Sequence, residues 1–223
     1  MAVLFCIYGL ESLNVLESFL SPTTYHLQPV YYDNMNILIV TAHPSSLGHT
    51  HVIANTYAEV KRSKGHTVEI VDLYAKEYKT DLLSFENIRE FKPSSVQKKF
   101  QSQVVWAHEI VVVHPIWWGT PPSIIKSWAE LTFWPGVAYK YTAPGKWLKL
   151  LHGKSAKVFA TCGGPSWYYK FPFMPLRSFW VTSLFDFCGV DVTEIKVCGK
   201  LNLLEEEARE KHFKKFLKTI KKS

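Results

Sequence analysis

The chain has 223 residues, of which 47% are hydrophobic and 20% are charged. This length allows one domain with a full core, and the balance of apolar and charged residues excludes a disordered chain. The formal net charge of +7 is compatible with an anionic partner or cofactor, but the basic residues are too dispersed to identify one. No apolar stretch reaches the roughly 20 residues that a membrane-spanning helix needs, so we expect no direct membrane insertion.

The four cysteines are Cys6, Cys162, Cys188 and Cys198, and no two of them have CxxC spacing. Neither a disulfide framework nor a zinc site is indicated by this pattern. We therefore expect no metal and a cytoplasmic location.

Residues 1–34 differ in character from the rest of the chain. An apolar run covers Met1–Leu10, but no basic residue precedes it and Glu11 follows it at once, which is not the pattern of a signal peptide. Met35 begins a clean strand pattern. Two interpretations stay open: an N-terminal extension, disordered or produced by an upstream start, or an ordered arm that packs on a partner subunit.

From Met35 onward, short apolar strands alternate with helical patterns. The predicted strands are Ile37–Thr41, Thr67–Asp72, Glu109–His114, Lys157–Thr161 and Asp191–Val197. The predicted helices are His49–Ser63, Ser94–Trp106, Pro122–Thr132, Phe173–Phe187 and Asn202–Lys222. Lysines at the end of the last helix suit the helix dipole, so we expect a solvated helix end there and no nucleic-acid partner. The alternation predicts an α/β fold with a five-stranded parallel sheet and helices on both faces.

In such sheets ligands bind beyond the carboxyl ends of the strands, so three loops are of interest. The first loop, residues 42–50, joins a strand to a helix start and is rich in small and hydroxyl residues. Amides at a helix N-terminus can hold a phosphate, although an ordinary capping loop is the alternative. Its three histidines also suggest a metal, but His49 and His51 point apart on a helix and no carboxylate lies nearby in the sequence.

The second and third loops carry features that suit a flat ring. In the second loop, residues 114–122, Trp117 and Trp118 cannot both pack inward, so at least one faces a cleft; a core Trp pair is the alternative. In the third loop, residues 161–170, Gly163 and Gly164 leave a bare backbone, with a flexible turn as the alternative. Three such loops at one edge of a sheet favour a ligand cleft.

The segment Pro115–Trp118 followed by Pro122–Trp128 resembles the P-L-x-W … P-A-x-L-K-G-W signature of the NAD(P)H quinone dehydrogenase family of flavodoxin-like proteins. Three further stretches match that family: Ala42–Pro44, Asp72–Tyr74 and Thr161–Gly164. The resemblance implies a flavodoxin-like three-layer α/β/α sandwich with strand order 2-1-3-4-5 over residues 35–223.

The same resemblance implies a flavin-dependent enzyme that passes two electrons by hydride transfer from NADH or NADPH to a quinone or similar acceptor. Bound FAD or FMN and a homodimer are implied as well. An ancillary subunit that binds flavin and docks on a membrane transporter is the alternative. A one-electron flavodoxin carrier is disfavoured, because those proteins are usually acidic.

Site residues follow from the matched positions. The flavin phosphate would be held by His43, Ser45, Gly48, His49 and Thr50. The ring would be held by Pro115, Ile116, Trp117, Trp118, Thr161, Gly163 and Gly164. Tyr169 would hydrogen-bond the flavin and steady charge during catalysis. The acceptor pocket would be lined by Trp118, Tyr139 and Tyr141, a segment that often reaches a neighbouring subunit.

The chain departs from the family pattern at some positions. Pro175 stands where the vertebrate enzymes have a relay histidine, and Cys162 replaces a threonine. The first loop has Gly48-His49-Thr50 where relatives often have Ser-x-Asn. These departures leave the choice between FMN and FAD open.

Overall fold

The computed structural model describes residues 34–223, apart from 89, 172 and 173, and of residue 170 it describes only the backbone. The predicted extension therefore lies outside the described residues except for Asn34, and its two interpretations stay predictions. No helix in the described ranges is long and apolar enough to cross a membrane.

Five parallel strands form the central sheet. They are β1 (Asn36–Thr41), β2 (Thr67–Asp72), β3 (Glu109–Pro115), β6 (Lys154–Thr161) and β7 (Val190–Cys198). Their order, β2-β1-β3-β6-β7, confirms the predicted order 2-1-3-4-5. Every residue of β3 is buried, because helices cover the sheet on both faces.

A second, two-stranded sheet was not predicted. It is an antiparallel hairpin of β4 (Tyr139–Ala143) and β5 (Lys146–Lys149). Its strands are short, and most of their side chains are half-buried or exposed, so no apolar run marks them in the sequence.

Helices pack on the two faces of the main sheet. They are α1 (His49–Ser63), α2 (Ser95–Trp106), α3 (Ser123–Thr132), α4 (Pro175–Arg177), α5 (Asp186–Cys188) and α6 (Glu206–Ile220). A core cluster with Ile53, Tyr57 and Phe213 lies on the side of α1 and α6. A larger cluster with Trp128 and Trp180 lies on the other side. The predicted three-layer α/β/α sandwich is confirmed.

The segment predicted as one helix at 173–187 is not a continuous α-helix. Phe173 lies outside the described residues, and Ser178–Phe185 forms a π-helix between α4 and α5. Hydrogen bonds from i to i+5 bring residues five apart toward the same face. Trp180 and Phe185 are both fully buried and stack at 5.3 Å between ring centroids, which an ordinary α-helix would not allow so readily.

The last helix begins later than Asn202, where the sequence predicted it. Lys200 adopts a positive φ of 64°, and its amide donates to the carbonyl oxygen of Gly164 at 2.6 Å. Residues 199–205 are therefore held against the third loop, and α6 starts only at Glu206.

Candidate functional site

The three predicted loops meet at the carboxyl edge of the sheet. The amide of Ile116 donates to the carbonyl oxygen of Thr161 at 2.7 Å, which joins the second loop to the third. The ring of His43 lies 6.4 Å from that of Trp117, which places the first loop beside the second. The indoles do not fill the space, because Trp117 is 41% exposed and Trp118 is fully exposed.

The backbone of the first loop packs closely against the imidazole ring of His43. Nδ1 of His43 lies 3.0 Å from both the amide nitrogen and the carbonyl oxygen of Ser45. The amide of Gly48 donates to that same carbonyl at 3.0 Å. A Cβ on Gly48 would stand 2.6 Å from His43 Nδ1, so only glycine fits here without moving the histidine.

Polar groups at the end of β1 and at the start of α1 have no partner in the described structure. Gly48 provides no side-chain cap, and no acidic residue occupies the first turn of the helix. The hydroxyl oxygens of Thr41 and Thr50 are buried and make no hydrogen bond. Buried donors are normally satisfied, so an anion at this helix start would complete the site.

His49 is placed differently from the other candidates of the first loop. Its ring packs edge-on against Phe213 of α6, 4.4 Å between centroids. Burial, and then the positive charges of Arg209 and His43, lower the pKa of His49. The imidazole of His49 is therefore neutral and packed on α6. Only the backbone amide of His49 is placed to contact an anion at the helix start.

His51 has a carboxylate partner that the sequence did not indicate. Its Nε2 lies 3.2 Å from Oδ2 of Asp72, the last residue of β2. The strand order explains the contact, because β1 and β2 are neighbours and their carboxyl ends meet. Among the residues that the structure describes, no three His, Cys, Asp or Glu side chains form a metal-holding group.

The second loop ends β3 in a two-residue turn. Trp117 and Thr120 exchange backbone hydrogen bonds at 3.0 Å in both directions, and Trp118 and Gly119 between them have φ of 53° and 79°. This is a type I′ turn, in which a tryptophan at the first central position is strained. Strain combined with a fully exposed indole is the pattern of a functional position.

The turn determines which amides can reach a ligand. Pro115 has no N–H, the amide of Ile116 donates to Thr161, and that of Trp117 donates to Thr120. Within the described residues the amides of Trp118 and Gly119 donate no hydrogen bond. Of the four residues Pro115–Trp118 that were expected to hold a ring, only Trp118 has an amide that could donate to a ligand, and Gly119 beside it has another.

The two glycines of the third loop have different surroundings. A Cβ on Gly164 would meet no atom within 4 Å, whereas one on Gly163 would stand 2.7 Å from Nδ2 of Asn202. Gly164 is thus the open position. Cys162 beside them is buried, which raises the pKa of its thiol, and its Sγ lies 3.3 Å from the carbonyl oxygen of Gly164.

Tyr169 lies in the 3-10 helix Ser166–Lys170 that follows these glycines. It lines a cavity of about 440 Å³ together with Ser166, Arg177 and Phe216. Burial raises the pKa of its hydroxyl, so the group stays protonated and can donate.

Tyr139 and Tyr141 lie apart from the three loops. Their rings pack on each other at 5.4 Å, and Tyr139 packs on Phe187 of α5 at 4.9 Å. The base of the hairpin is tied to the residues that precede β6 and β7, since Leu151 donates to the carbonyl of Cys188. These are the amino ends of the strands, opposite the loops.

A family model described as flavodoxin-like fold matches residues 35–223. The chain belongs to the flavodoxin-like family. The resemblance inferred from the tryptophan signature is confirmed at this level.

Known relatives of this flavodoxin-like chain include an uncharacterised NAD(P)H oxidoreductase of Haemophilus influenzae, 30% identical over 182 residues, which are 78% of this chain and 89% of the relative. An FMN-dependent NADH:quinone oxidoreductase of Clostridium acetobutylicum is 25% identical over 173 residues, 74% of this chain and 86% of the relative. A crystal structure of a Streptococcus mutans protein has a TM-score of 0.69 at 26% identity, covering 85% of this chain and all of that one.

Three contributors to the flavodoxin-like site were missed from the sequence. Asp72, the last residue of β2, lies in a stretch that matches the family but was given no role in the site. Asn202 follows β7, whose loop was not considered, although every parallel strand ends at the same edge. His114 was placed at the end of a strand and the start of the second loop but was given no role, yet both of its ring nitrogens are hydrogen-bonded. Its position as a polar residue that follows an apolar run in a buried strand could have indicated from the sequence that His114 has a specific role.

Proposed function

We propose that this chain is a flavin-dependent NAD(P)H oxidoreductase that transfers two electrons from a reduced nicotinamide nucleotide to a quinone or similar acceptor. The observation that carries the proposal is the meeting of three loops at one rim, where polar groups are left without partners beside exposed indoles. The relatives from Haemophilus influenzae and Clostridium acetobutylicum support it, because their names specify NAD(P)H oxidoreductase and FMN-dependent NADH:quinone oxidoreductase.

The first loop fits the phosphate of a flavin nucleotide. The Thr50 hydroxyl is buried without a partner, and the helix start beside it has neither a side-chain cap nor an acidic residue. A phosphate there would accept from the Thr50 hydroxyl and the first amides of α1, and it would gain from the positive end of the helix dipole. His43, Ser45 and Gly48 shape this loop, and His49 contributes its amide.

The second and third loops fit the edge and face of the flavin ring. The free amides of Trp118 and Gly119 would donate to the ring's polar edge, and the bare backbone of Gly164 would allow close approach. Thr161 and Ile116 hold these two loops together. When bound, flavin would supply the two-electron redox chemistry that no side chain here can carry out.

Tyr169 would act as the hydrogen-bond donor that offsets developing negative charge. Its hydroxyl stays protonated because burial raises its pKa. The net reaction converts NAD(P)H, a proton and a quinone into NAD(P)⁺ and a hydroquinone, so electrons and protons balance. FMN and NADH are the proposed flavin and donor, with FAD and NADPH as outcomes that the test distinguishes.

A homodimer completes the proposed acceptor pocket. Tyr139 and Tyr141 lie with α5, at the end of the sheet opposite the three loops. They can line the pocket beside Trp118 only if a second copy brings its hairpin there. The names of the relatives described above do not mention a transporter subunit and so give the alternative no support. A cytoplasmic location remains part of the proposal.

Reconstitution tests the function. The purified chain is incubated separately with FMN and with FAD, desalted, and its visible spectrum is recorded before and after NADH or NADPH. The expected result is a flavin spectrum that bleaches with a nicotinamide nucleotide and returns when p-benzoquinone is added. A chain that retains neither flavin, or retains one that no nicotinamide nucleotide reduces, contradicts the proposal.

A further inference from the structure

His114 is the next-to-last residue of β3 and is wholly buried. Its Nδ1 lies 2.8 Å from the carbonyl oxygen of Pro115, and Nε1 of Trp180 lies 3.1 Å from its Nε2. The indole nitrogen can only donate, so Nε2 must accept. The proton of the neutral imidazole is therefore on Nδ1, which donates it to the Pro115 carbonyl.

That carbonyl belongs to the peptide unit that leads into the second loop. The amide of the same unit, on Ile116, donates to Thr161 at 2.7 Å. Both polar atoms of one planar group are thus held, the oxygen by His114 and the N–H by the third loop. The turn that carries the free amides of Trp118 and Gly119 starts directly after this unit.

The hydrogen bond from Trp180 comes from a distant part of the chain. Trp180 lies in the π-helix Ser178–Phe185, is fully buried, and stacks on Phe185. This segment follows the 3-10 helix that carries Tyr169. His114 therefore connects the second loop with the helical segment that follows the third loop.

Packing alone does not account for an imidazole at this position. The neighbouring residues of β3, Val111, Val112 and Val113, are all apolar and fully buried. A buried imidazole is costly unless its nitrogens are bonded, and an apolar side chain would fill the space without that cost. An imidazole differs from such an apolar side chain in making two hydrogen bonds, one to the Pro115 carbonyl and one from the Trp180 indole.

We propose that His114 is a positioning residue: its neutral ring, oriented by Trp180, fixes the Pro115–Ile116 peptide and so aims the amides of Trp118 and Gly119 at a bound flavin. The consequence for flavin rests on the proposed function. The ordering of the turn by His114 is independent of the proposed function, because every group involved belongs to this chain.

Four variants test the proposal. His114→Leu removes both hydrogen bonds, and His114→Asn keeps an N–H near the position of Nδ1. Trp180→Phe removes the indole donor, and Trp128→Phe is its matched control, because Trp128 is buried in the same core cluster but packs on Phe133. Hydrogen exchange at residues 116–120 of the flavin-free protein is measured first, followed by FMN affinity from a fluorescence titration.

The expected results separate positioning from general stability. His114→Leu should speed exchange at 116–120 and weaken FMN binding about tenfold, the effect of roughly one hydrogen bond. His114→Asn should stay within about threefold of the wild type. Trp180→Phe should show faster exchange at the turn, and Trp128→Phe should leave the turn unchanged. If His114→Leu does not fold, His114→Met, which has no N–H to donate to the Pro115 carbonyl, takes its place with the same expectation.

Three outcomes would overturn the proposal: wild-type exchange and affinity in His114→Leu, binding in His114→Asn as weak as in His114→Leu, or the same faster exchange in Trp128→Phe. A wild-type chain that binds neither FMN nor FAD would instead contradict the proposed function, and the exchange data would still decide the role of His114.

Discussion

The backbone of Gly163 lies against the side chain of Asn202, so closely that a Cβ on Gly163 would stand 2.7 Å from the amide nitrogen of Asn202. The next residue, Gly164, has no atom within 4 Å of the same position. A side chain at position 163 would therefore have to displace Asn202, whereas one at position 164 would extend into open space.

Gly164→Val should leave the flavin-free protein as stable as the wild type but weaken FMN binding at least about tenfold, because the branched side chain would occupy the space of the ring. Thermal unfolding and FMN titration measure the two effects. Ser102→Val, which adds a similar side chain at an exposed position of α2, is the control and should change neither. Normal FMN affinity in Gly164→Val would rule out a ring beside this residue.

Thr50→Val should have opposite effects on stability and on binding. The buried Thr50 hydroxyl has no partner in the described structure, so its removal should leave the flavin-free protein unchanged or stabilise it by up to about 1 kcal/mol. FMN affinity should fall about tenfold, because a phosphate loses a donor.

Thr132→Val is the matched control for Thr50→Val. Thr132 is also fully buried with an unpartnered hydroxyl, but it lies at the end of α3. Its substitution should have the same small effect on unfolding and none on FMN binding. Equal loss of FMN affinity in both variants would contradict a phosphate site at the start of α1.

His114 should make the stability of the protein depend on pH. Burial lowers the pKa of His114 from about 6.5 to about 4 in the folded chain, with the Pro115 carbonyl opposing the shift. Between these values the unfolded chain binds the proton and the folded chain does not, so stability is lost as pH falls from about 6.5 toward 4. The loss should amount to about 3 kcal/mol.

Denaturant unfolding of the wild type and of His114→Asn between pH 4 and 7 measures this contribution. His66 and His108 also have lowered pKa values, so the difference between the two proteins is the quantity to compare. The wild type should lose more stability than the variant as the pH falls. Parallel curves would show that His114 is not the neutral, bonded group described above.

Mixing two defective chains tests the proposed dimer. At an FMN concentration that fills the wild-type site but not the weakened site of Gly164→Val, this variant carries no flavin. Tyr141→Ser lacks part of the hairpin that a second copy would contribute. A mixed dimer would have one intact pocket, so equimolar chains that exchange subunits should recover about a quarter of wild-type quinone turnover. Light scattering should show dimers. No recovery in a sample proven to contain mixed dimers would place Tyr141 outside the pocket.

The sequence was sufficient for the sheet and for the three loops that meet at one of its edges. Buried runs such as Ile110–Val113 define parallel strands without any tertiary information, and the loops that follow them must share one edge. The tryptophan signature then identified the family. These features are local in sequence, or follow from topology, which is why they could be predicted.

The remaining features depend on contacts between distant residues. The pairing of His51 with Asp72 follows from strand neighbours, and the bond between Trp180 and His114 spans 66 residues. The delayed start of α6 depends on Lys200 bonding Gly164. Periodicity carries no information about such contacts, so the predicted start of the last helix at Asn202 was wrong. For the same reason, the sequence does not indicate which amides of the second loop are hydrogen-bonded within the chain.

The most direct test of the flavin site compares hydrogen exchange of the chain with and without FMN. Bound FMN should slow exchange at residues 49–50, 118–119 and 163–164 together, since these segments would contact its phosphate and ring. FMN that binds while these three segments exchange as before, with protection elsewhere, would contradict the account.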